Sequence, residues 1–498
     1  MRLVLAARRS ALARIQARQV GDTLRTAHPQ ILIDYSFRES LGDRNQNDPL
    51  WQMPEKGVFT QDFRAGLLEG EFDLVVHSWK DLAIEDQTET EVVATLPRAD
   101  ARDLLLVRSD SWDKIERTER ISILTSSPRR SYNLGSFLGE ALPFELQQLD
   151  FVAVRGNVPT RVRKLLEGGA DGLVVAKAAI DRLLESRDDE FAATRKELRN
   201  GLAKCRWMVL PLRANPTAPG QGALAIEIKH DREDLRALLQ PINCAKTFAG
   251  ARREREILRG YGGGCHQKIG VNVLSRPFGE ITILRGLTDS GEVLESCSLS
   301  GQESKPPKIS KEKMWPLEPT SGDWFVRQGI PAVMPDGVNA LWIAKADALP
   351  EAWNLRPGQI AWTSGLQTWR RLARRGVWVN GCAESLGEQE PPRIETIAES
   401  DLNWLKLTHT DGFVEGEMPA LGTYRLAPKN GTPDLRGKTY FFWSSGSGFE
   451  LALKNNPWLK KMTHCCGPGN TRQALEKFGV TPFVFLDHTQ WLKEIAAE

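Results

Sequence analysis

Apolar runs bounded by glycine recur along the first 210 residues and predict a repeated α/β construction. LLEGEFDLVVHS (67–78) and LLEGGADGLVVAK (165–177) each contain Leu-Leu-Glu-Gly, then an aspartate, then an apolar run. Glycine commonly ends a helix, and runs such as LVV suit buried parallel strands. The pattern predicts two similar lobes, around residues 1–100 and 103–210. The alternative is chance recurrence of a common helix–strand junction.

The N-terminus is basic and has no acidic residue before Asp22, as in a targeting peptide. A secretory signal needs an apolar core after its basic start, and Arg8, Arg9 and Arg14 interrupt any such core. We therefore predict that LVLA forms a strand and that a helix begins after Ser10.

Alternating polarity changes the prediction after residue 240. The helical stretch AGARREREILRGYGGG is followed by GVNVL, EITILRGLTD and EVLESCSLS, which alternate as half-buried strands do. This predicts a small α/β domain with an antiparallel sheet, ending near residue 300. The next stretch, 301–322, is rich in Pro, Lys and Ser and is predicted to be a linker.

A second repeat lies in the last third of the chain, where TSGLQTWRRLARRGVWV (363–379) parallels GPGNTRQALEKFGVTPF (467–483). In each copy a glycine-bearing turn is predicted to open a helix that stops at a second glycine. Turns of this kind offer backbone N–H groups to an anion. The matching positions are Thr368, Leu372 and Gly376 against Thr471, Leu475 and Gly479.

Composition narrows the class of protein. A chain of 498 residues fits about three or more domains, and a net charge of +2 does not suit a nucleic-acid binder, so any anion site must come from local arginines. Seven cysteines are sparse and odd in number, which favours a reducing compartment, and we expect the cytoplasm. No run approaches the ~20 apolar residues of a membrane helix, so we expect no membrane partner.

Polar side chains follow the predicted strand in VVHSWKDL (75–82). Ligands of open α/β sheets collect beyond the carboxyl ends of strands. Ser78, Lys80 and Asp81 supply a hydroxyl, an ammonium and a carboxylate, which suit proton transfer beside an anion. A solvated turn is the alternative.

Arginines follow two further strands. In ILTSSPRRS (123–131), the hydroxyls of Thr125 and Ser126 precede Pro128 at a predicted helix start, and two guanidiniums come next. Guanidinium forks match carboxylate or phosphate, so this pattern indicates an anion cradle. VAVRGNVPTRVRKL (152–165) adds more cations, for which a solvated basic helix face is the alternative. The arginines of the two segments are Arg129, Arg130, Arg155 and Arg161.

The cysteine in GGGCHQKIG (262–270) admits several interpretations. Zinc would need more Cys or His at ligand spacing than Cys265 and His266 provide, so we expect no metal site. No protease context surrounds it, and no nucleotide-binding glycine motif occurs in the chain. A buried structural cysteine is the usual case. The flanking glycines leave the thiol open, however, which suits covalent attachment.

HSWKD, TSSPRR, RGNVPTR, APGQGALAIE and GGGCHQKIG, in this order over about residues 1–300, resemble the porphobilinogen deaminase (hydroxymethylbilane synthase) family. The resemblance implies two lobes like those of periplasmic binding proteins and a small α/β domain that carries the cofactor cysteine. The implied domains are 1–100 with about 213–238, then 101–212, then 239–300.

That resemblance also implies a dipyrromethane cofactor attached to Cys265 by a thioether. Four porphobilinogen units would condense head-to-tail with loss of ammonia, and hydrolysis would release hydroxymethylbilane. We expect the protein to be a monomer. The implied catalytic residues are Asp81, Lys80 and Arg8. The implied cofactor contacts are Cys265, Ser78, Lys80, Asp81, Thr125, Ser126, Arg129, Arg130 and Arg155. The implied substrate contacts are Arg8, Ser10, Lys56, Phe59, Arg155, Arg161 and Arg182.

Three features depart from the family pattern. Gln267 and Lys268 stand where the family has proline and an aliphatic residue, one arginine is lost near Asp43, and an insertion lies near 186–210. They concern the seating of the cofactor and not the class of reaction.

Residues 323–498 resemble uroporphyrinogen-III synthase through FFWSSGSGF (441–449) and CCGPGNTRQAL (465–475). That resemblance implies a two-lobed α/β region that closes the linear tetrapyrrole, while AKADAL (344–349) departs from the family pattern. For residues 323–498, the alternative is a region that only binds the tetrapyrrole or has a structural role. For the whole chain, the alternative is a two-lobed module that binds a small anion. Such a module would have no use for an open thiol. The implied cyclase-site residues are Tyr424, Ser444, Ser445, Gly469 and Thr471.

Overall fold

A computed structural model describes most of the chain, which folds into two compact units. The first unit contains residues 1–139, 144–275 and 282–297, and the second contains 140–143, 276–281 and 298–498. The structure describes residues 1–39, 61–85, 87–263, 267–302, 304–319, 324–412, 418–429 and 433–497. The predicted site residues Cys265, Lys56 and Phe59 lie outside these ranges.

The first lobe is built on a mixed sheet with the order β2-β1-β3-β10-β4. β1 runs parallel to β2 and β3, whereas β10 runs antiparallel to β3 and β4. Apolar side chains of these strands pack with helix α1 (Ala11–Ala27) in one core, which explains the continuous apolar runs in β1 and β3. The strands are β1 (Arg2–Arg8), β2 (Leu32–Arg38), β3 (Leu74–Ser78), β4 (Thr90–Ala94) and β10 (Leu224–Lys229).

The second lobe repeats this topology with the order β7-β6-β8-β5-β9. β6 runs parallel to β7 and β8, and β5 runs antiparallel to β8 and β9. β8 therefore occupies the place of β3, so the repeated sequences 67–78 and 165–177 are equivalent in structure. The strands are β5 (Asp103–Arg108), β6 (Arg120–Leu124), β7 (Gln148–Val152), β8 (Gly172–Ala176) and β9 (Cys205–Val209).

Helices cover the two sheets, and side-chain caps mark two of their starts. Ser10 Oγ accepts a hydrogen bond from Ala13 N (3.3 Å), which confirms the predicted strand followed by a helix after Ser10. Asn157 caps α5 in the same way. The helices are α1 (Ala11–Ala27), α2 (Gln61–Leu68), α3 (Trp112–Thr118), α4 (Pro128–Ala141), α5 (Val158–Lys164), α6 (Lys177–Glu185), α7 (Ala192–Leu202), α8 (Glu233–Leu239) and α9 (Ala245–Arg259).

The small third domain joins α9 to a sheet with the order β11-β12-β13. Glu254 of α9 is fully buried and ties this domain to the first lobe. Its carboxylate accepts from both terminal nitrogens of Arg98 (2.7 and 2.9 Å) and from Gly220 N (2.8 Å). The strands are β11 (Gly270–Arg276), β12 (Gly279–Leu287) and β13 (Val293–Ser300).

The second unit contains two further α/β sheets. One has the order β15-β20-β19-β16-β17-β18 and is parallel except between β15 and β20. Its strands are β15 (Phe325–Gly329), β16 (Ala340–Ile343), β17 (Ile360–Thr363), β18 (Gly381–Cys382), β19 (Trp404–His409) and β20 (Ala420–Pro428).

The other sheet is parallel, with the order β14-β21-β22-β23. The elements are β14 (Met314–Trp315), β21 (Tyr440–Trp443), β22 (Thr463–Cys466) and β23 (Phe483–Val484), with helices α10 (Leu366–Ala373), α11 (Gly446–Asn455), α12 (Asn470–Lys477) and α13 (His488–Ile495).

The predicted repeat in this unit is confirmed. α10 and α12 each begin after a glycine, Gly365 and Gly469, and each is followed by a glycine of positive φ, Gly376 (77°) and Gly479 (73°). Only glycine adopts that conformation without strain, which is why the spacing is readable from the sequence.

The linker prediction was wrong for part of 301–322. β14 pairs with β21, and Ile309 forms a bridge with Ala496. The Trp315 ring lies 5.3 Å from that of Trp443, inside the apolar core of this lobe. A strand of two residues is too short to show an apolar pattern. The prediction therefore rested on the Pro, Lys and Ser content of the segment, which is typical of a linker.

Candidate active site

Asp81 lies where the chain leaves β3. A single 3₁₀ turn, Trp79–Asp81, follows the strand directly. Trp79 is 2% exposed, and its ring packs at a tilt against that of Phe248 with the centroids 5.2 Å apart, which anchors the turn. Asp81 is exposed, whereas Lys80 Nζ donates to Gln221 Oε1 at 3.2 Å. The burial of Trp79 therefore presents a carboxylate and an ammonium at the carboxyl end of the strand.

Asp103 organises the arginines that follow β6. This fully buried carboxylate accepts from Arg129 Nη2 (3.0 Å) and from Arg130 Nε (3.0 Å) and Nη2 (2.6 Å). The side-chain amides of Asn215 and Gln221 donate to it as well, at 2.9 and 2.8 Å. Burial would raise the pKa of Asp103, but the two guanidiniums hold it far below its usual range.

The sequence predicted that Arg129 and Arg130 would bind an anion directly, but both guanidiniums bond to groups of the protein. Arg129 also donates to Asn215 Oδ1 (3.1 Å) and Pro216 O (2.6 Å), and Arg130 to Val174 O (3.2 Å). Both side chains are nearly buried, at 4% and 6% exposure. Two guanidiniums against one carboxylate leave one net positive charge, so they act on an anion mainly through their field.

Further cations adjoin this pair. Burial, together with Arg130 and Arg129, lowers the pKa of Lys80 to about 8 against the pull of Asp81. Burial lowers the pKa of Arg161 to about 10, Arg130 and Arg155 contribute, and Asp81 opposes them. Lys80 is influenced by Asp81, Arg130 and Arg129, and Arg161 by Arg130, Arg155 and Asp81, so these six of the predicted site residues lie in one cluster.

The predicted hydroxyl ligands have structural partners. Ser126 Oγ donates to Val154 O (2.5 Å) and accepts from Val154 N (2.9 Å), and Thr125 N donates to Val152 O (2.9 Å). These bonds fix the segment that leads to Arg155.

On the first lobe, Ser78 Oγ donates to Gln16 Oε1 (3.1 Å) and Ser10 caps α1. Arg8 ends β1 in register with Arg38.

Arg182 contacts the loop 218–223, through which the chain passes back from the second lobe to the first. Its guanidinium is 7% exposed and donates to Gly222 O at 2.8 Å, and burial lowers its pKa to about 10. Gly222 has φ 84°, and a Cβ there would lie 2.6 Å from Ala99 O. The predicted substrate contact thus supports the turn that carries Gln221.

Sequence reasoning missed Asp103 as a site residue, and gave no role to Gln221. Asp103 precedes an ordinary apolar run, DLLLVR, and no local pattern separates it from a surface acid. Gln221 stands inside the motif APGQGALAIE, which was a usable signal.

Comparison with known proteins decides the family. A family model described as "Porphobilinogen deaminase, dipyromethane cofactor binding domain" matches residues 3–237. Porphobilinogen deaminase of Clostridium novyi (strain NT) is 32% identical over 317 residues, covering 63% of this chain and 97% of the relative. The chain belongs to the porphobilinogen deaminase family. The Syntrophomonas wolfei enzyme is 33% identical over 305 residues, covering 61% of this chain and 90% of the relative.

Solved structures that match part of the chain are more distant in sequence. A periplasmic sulfonate-binding protein from Methylobacillus flagellatus KT is 13% identical with a TM-score of 0.27, and covers 52% of this chain and 69% of that one. The benzoate-bound effector domain of BenM is 12% identical with a TM-score of 0.26, and covers 52% and 93% respectively.

The residues around Asp81 fit the cofactor of porphobilinogen deaminase. A dipyrromethane carries acetate and propionate groups, so it needs cations in excess of acids. The cluster supplies Lys80 and four arginines against Asp81 and Asp103. Desolvated cations attract carboxylates more strongly than hydrated ones. The four arginines are Arg129, Arg130, Arg155 and Arg161.

Gln267, which stands where the family pattern has proline, is bonded to the segment that follows α9. It is 4% exposed and donates from Nε2 to Tyr261 O at 2.5 Å. A side-chain amide thus makes a backbone contact that proline could not make.

In the second unit, Ser444 and Ser445 directly follow β21, and Gly469 and Thr471 lie where the chain passes from β22 into α12. Ser444 is exposed, and Ser445 Oγ caps α11 by accepting from Gly448 N (3.1 Å). Gly469 precedes α12, and a Cβ there would lie 3.3 Å from Ser385 O of the other lobe. Thr471 lies in the first turn of α12.

Tyr424 stands on the other sheet and is 3% exposed. Its ring lies 5.9 Å from that of His409, whose Nε2 lies 3.3 Å from Ser447 Oγ. The two lobes of this unit therefore meet at the turns that hold the candidate residues.

The described part of the chain shows neither a metal cluster nor a membrane-spanning helix. Within it, no group of three or more His, Cys, Asp or Glu is arranged to hold a metal ion. None of the described helices is long and apolar enough to cross a membrane.

Proposed function

We propose that this chain is a hydroxymethylbilane synthase. It joins four porphobilinogen units head-to-tail on a dipyrromethane attached to Cys265 by a thioether, and each condensation releases ammonia. The observation that carries this proposal is an exposed carboxylate, Asp81, at a strand end beside cations that outnumber the acids.

Asp81 has the central role in this proposal. Loss of ammonia leaves the aminomethyl carbon of porphobilinogen electron-poor, with positive charge spread over the pyrrole. A carboxylate held beside that ring stabilises the charge and accepts the pyrrole proton. Trp79 keeps it in place because the turn cannot rotate without exposing the indole.

The cations bind the acidic side chains of substrate and growing chain. Lys80, Arg155 and Arg161 contact carboxylates, and Arg129 and Arg130 add a positive field held in place by Asp103. The dipyrromethane supplies, when bound, the free pyrrole carbon on which the chain grows. Arg8, Ser10, Lys56 and Phe59 are proposed to complete the substrate site.

The first experiment measures the intact mass of the purified protein and the bilane it makes from porphobilinogen. We expect a covalent dipyrromethane that disappears in Cys265→Ser. Correctly folded protein that carries no adduct and makes no bilane would contradict the proposal and favour a simple anion-binding module.

A second experiment tests Asp81. Asp81→Asn should keep the fold and the adduct but lower turnover by roughly 10²–10⁴-fold, the usual contribution of a general acid–base group. Turnover like that of the wild type would exclude the role of Asp81.

For residues 323–498 we propose uroporphyrinogen-III synthase activity. The supporting observation is that two α/β lobes meet at their strand ends, where Ser445, Gly469 and Thr471 offer hydroxyls and backbone N–H groups to a polycarboxylate. Tyr424 and Ser444 are proposed to belong to the same site. A binding-only role is the alternative.

Product analysis separates these two roles. We expect that porphobilinogen alone yields the type III uroporphyrinogen isomer. Exclusive formation of the type I isomer, which arises by spontaneous closure, would exclude cyclase activity.

A further inference from the structure

The segment that carries Asp81 is held by a helix of another domain. Residues 79–84, which begin with the 3₁₀ turn, lie along α9. Arg255 of that helix donates from Nη1 to Trp79 O (3.4 Å) and Leu82 O (3.2 Å), and from Nη2 to Ala83 O. Arg259, one turn later, donates from Nη2 to Ile84 O (2.8 Å). The carbonyls on both sides of Asp81 are therefore bound to one helix face.

The same helix ends six residues before Cys265 in the sequence. α9 ends at Arg259, and Gly263 follows with φ 64°. A Cβ built on Gly263 would lie 3.6 Å from Ile84 Cβ, so Gly263 lies against the end of the Asp81 segment. Ile84 also packs against the core of the third domain, beside Leu258 and Ile269.

A guanidinium suits this task better than an ammonium. Backbone carbonyls of an irregular segment need donors, and the fork of arginine supplies several in a fixed plane. Phe248 of α9 adds an apolar contact with Trp79. Together these contacts fix where Asp81 stands relative to α9.

We propose that Arg255 is a positioning residue that fixes Asp81 relative to α9, the helix that precedes Cys265 in the sequence. Because Arg255 holds the carbonyls on both sides of Asp81, the carboxylate keeps a constant position relative to the end of that helix. This inference rests on the proposed function, since it assumes the roles of Asp81 and Cys265.

The test compares Arg255→Gln with Arg253→Gln. Arg253 lies on the same helix but is 58% exposed and pairs only loosely with Glu256 (3.6 Å). Arg255→Gln should keep the covalent cofactor and the KM of the wild type. Its kcat should fall by up to roughly 10²-fold, the cost of misplacing a catalytic group by about 1 Å. Arg253→Gln should match the wild type, and Arg255→Lys should recover part of the kcat.

A double mutant separates positioning from general stability. If Arg255 acts through Asp81, then Arg255→Gln should cost less than about twofold in kcat on an Asp81→Asn background, because residues that act as a unit are not additive. An equal loss on both backgrounds, loss of the adduct, or an unchanged kcat would overturn the inference. Arg259→Gln, which removes the bond to Ile84 O, should show the same selective loss to a smaller degree if Arg255→Gln fails to fold.

The outcomes also separate this inference from the proposed function. Normal turnover in Asp81→Asn alone would refute the role of Asp81 and with it the inference. A slow Asp81→Asn with a fully active Arg255→Gln would refute only the positioning role.

Discussion

Asp103 determines what Arg129 and Arg130 can do. A buried carboxylate between two guanidiniums fixes their planes, and the remaining positive charge faces the cluster around Lys80. Removing one partner of a buried ion pair leaves the other charge buried and uncompensated. This destabilises the fold by more than the intact ion pair stabilises it.

Asp103→Asn should therefore destabilise the fold by roughly 3–5 kcal/mol, as is usual when one partner of a buried ion pair is lost. Urea unfolding followed by fluorescence measures this change. The control is Asp110→Asn, because Asp110 is 69% exposed beside Arg108 and should cost less than about 1 kcal/mol. Equal midpoints for the two variants would contradict the central role of Asp103.

Lys80 predicts an alkaline limit of activity. Its pKa is about 8, so the side chain is charged below that pH and loses its proton as the pH rises through it. Loss of the ammonium weakens carboxylate binding, and kcat/KM should fall above about pH 8. Lys80→Arg keeps the positive charge, so the fall in kcat/KM should move to higher pH. An unchanged pH profile in Lys80→Arg would argue against this assignment.

At the scale of elements, the crossover loop 218–223 links the two lobes to the third domain. Gly220 N donates to Glu254, and Gly222 O accepts from Arg182. Gly222 combines positive φ with a close approach to Ala99 O, so both backbone conformation and space require glycine there.

Gly222→Ala should lower the melting temperature because its Cβ would lie 2.6 Å from Ala99 O. Gly135→Ala is the matched control, since Gly135 lies in α4 with open space around it. Alanine there should stabilise the helix by roughly 0.5–1 kcal/mol. Thermal unfolding of the two variants should therefore shift in opposite directions.

At the scale of the whole molecule, the boundary of the second unit lies earlier than composition indicated. Trp315 packs between Trp324 and Trp443, with ring centroids 5.6 and 5.3 Å away. Met314 and Trp315 of β14 are both buried, so this strand contributes to the core.

A fragment that begins at residue 304 should therefore unfold cooperatively. A fragment that begins at 323 lacks Met314 and Trp315, and burying a large apolar side chain contributes roughly 1.5–3 kcal/mol. It should unfold at a lower urea concentration and bind an apolar dye. Circular dichroism distinguishes the two, and equal midpoints would mean that β14 adds nothing to stability.

The sequence by itself determined the features that depend on local pattern. Ser10 before α1, the repeated LVV strands and the paired glycines around α10 and α12 follow from capping, burial and backbone conformation, which act over a few residues. The ordered motifs likewise sufficed for the family.

Only the tertiary structure decided which groups meet. Asp103 binds Arg129 across 26 positions of the chain, and Arg255 reaches Ala83 across 172. No local pattern encodes such contacts, because they depend on how the strands are ordered and how the third domain packs. For the same reason, β14 could not be predicted from its own sequence, because the residues that bury it lie more than a hundred positions away.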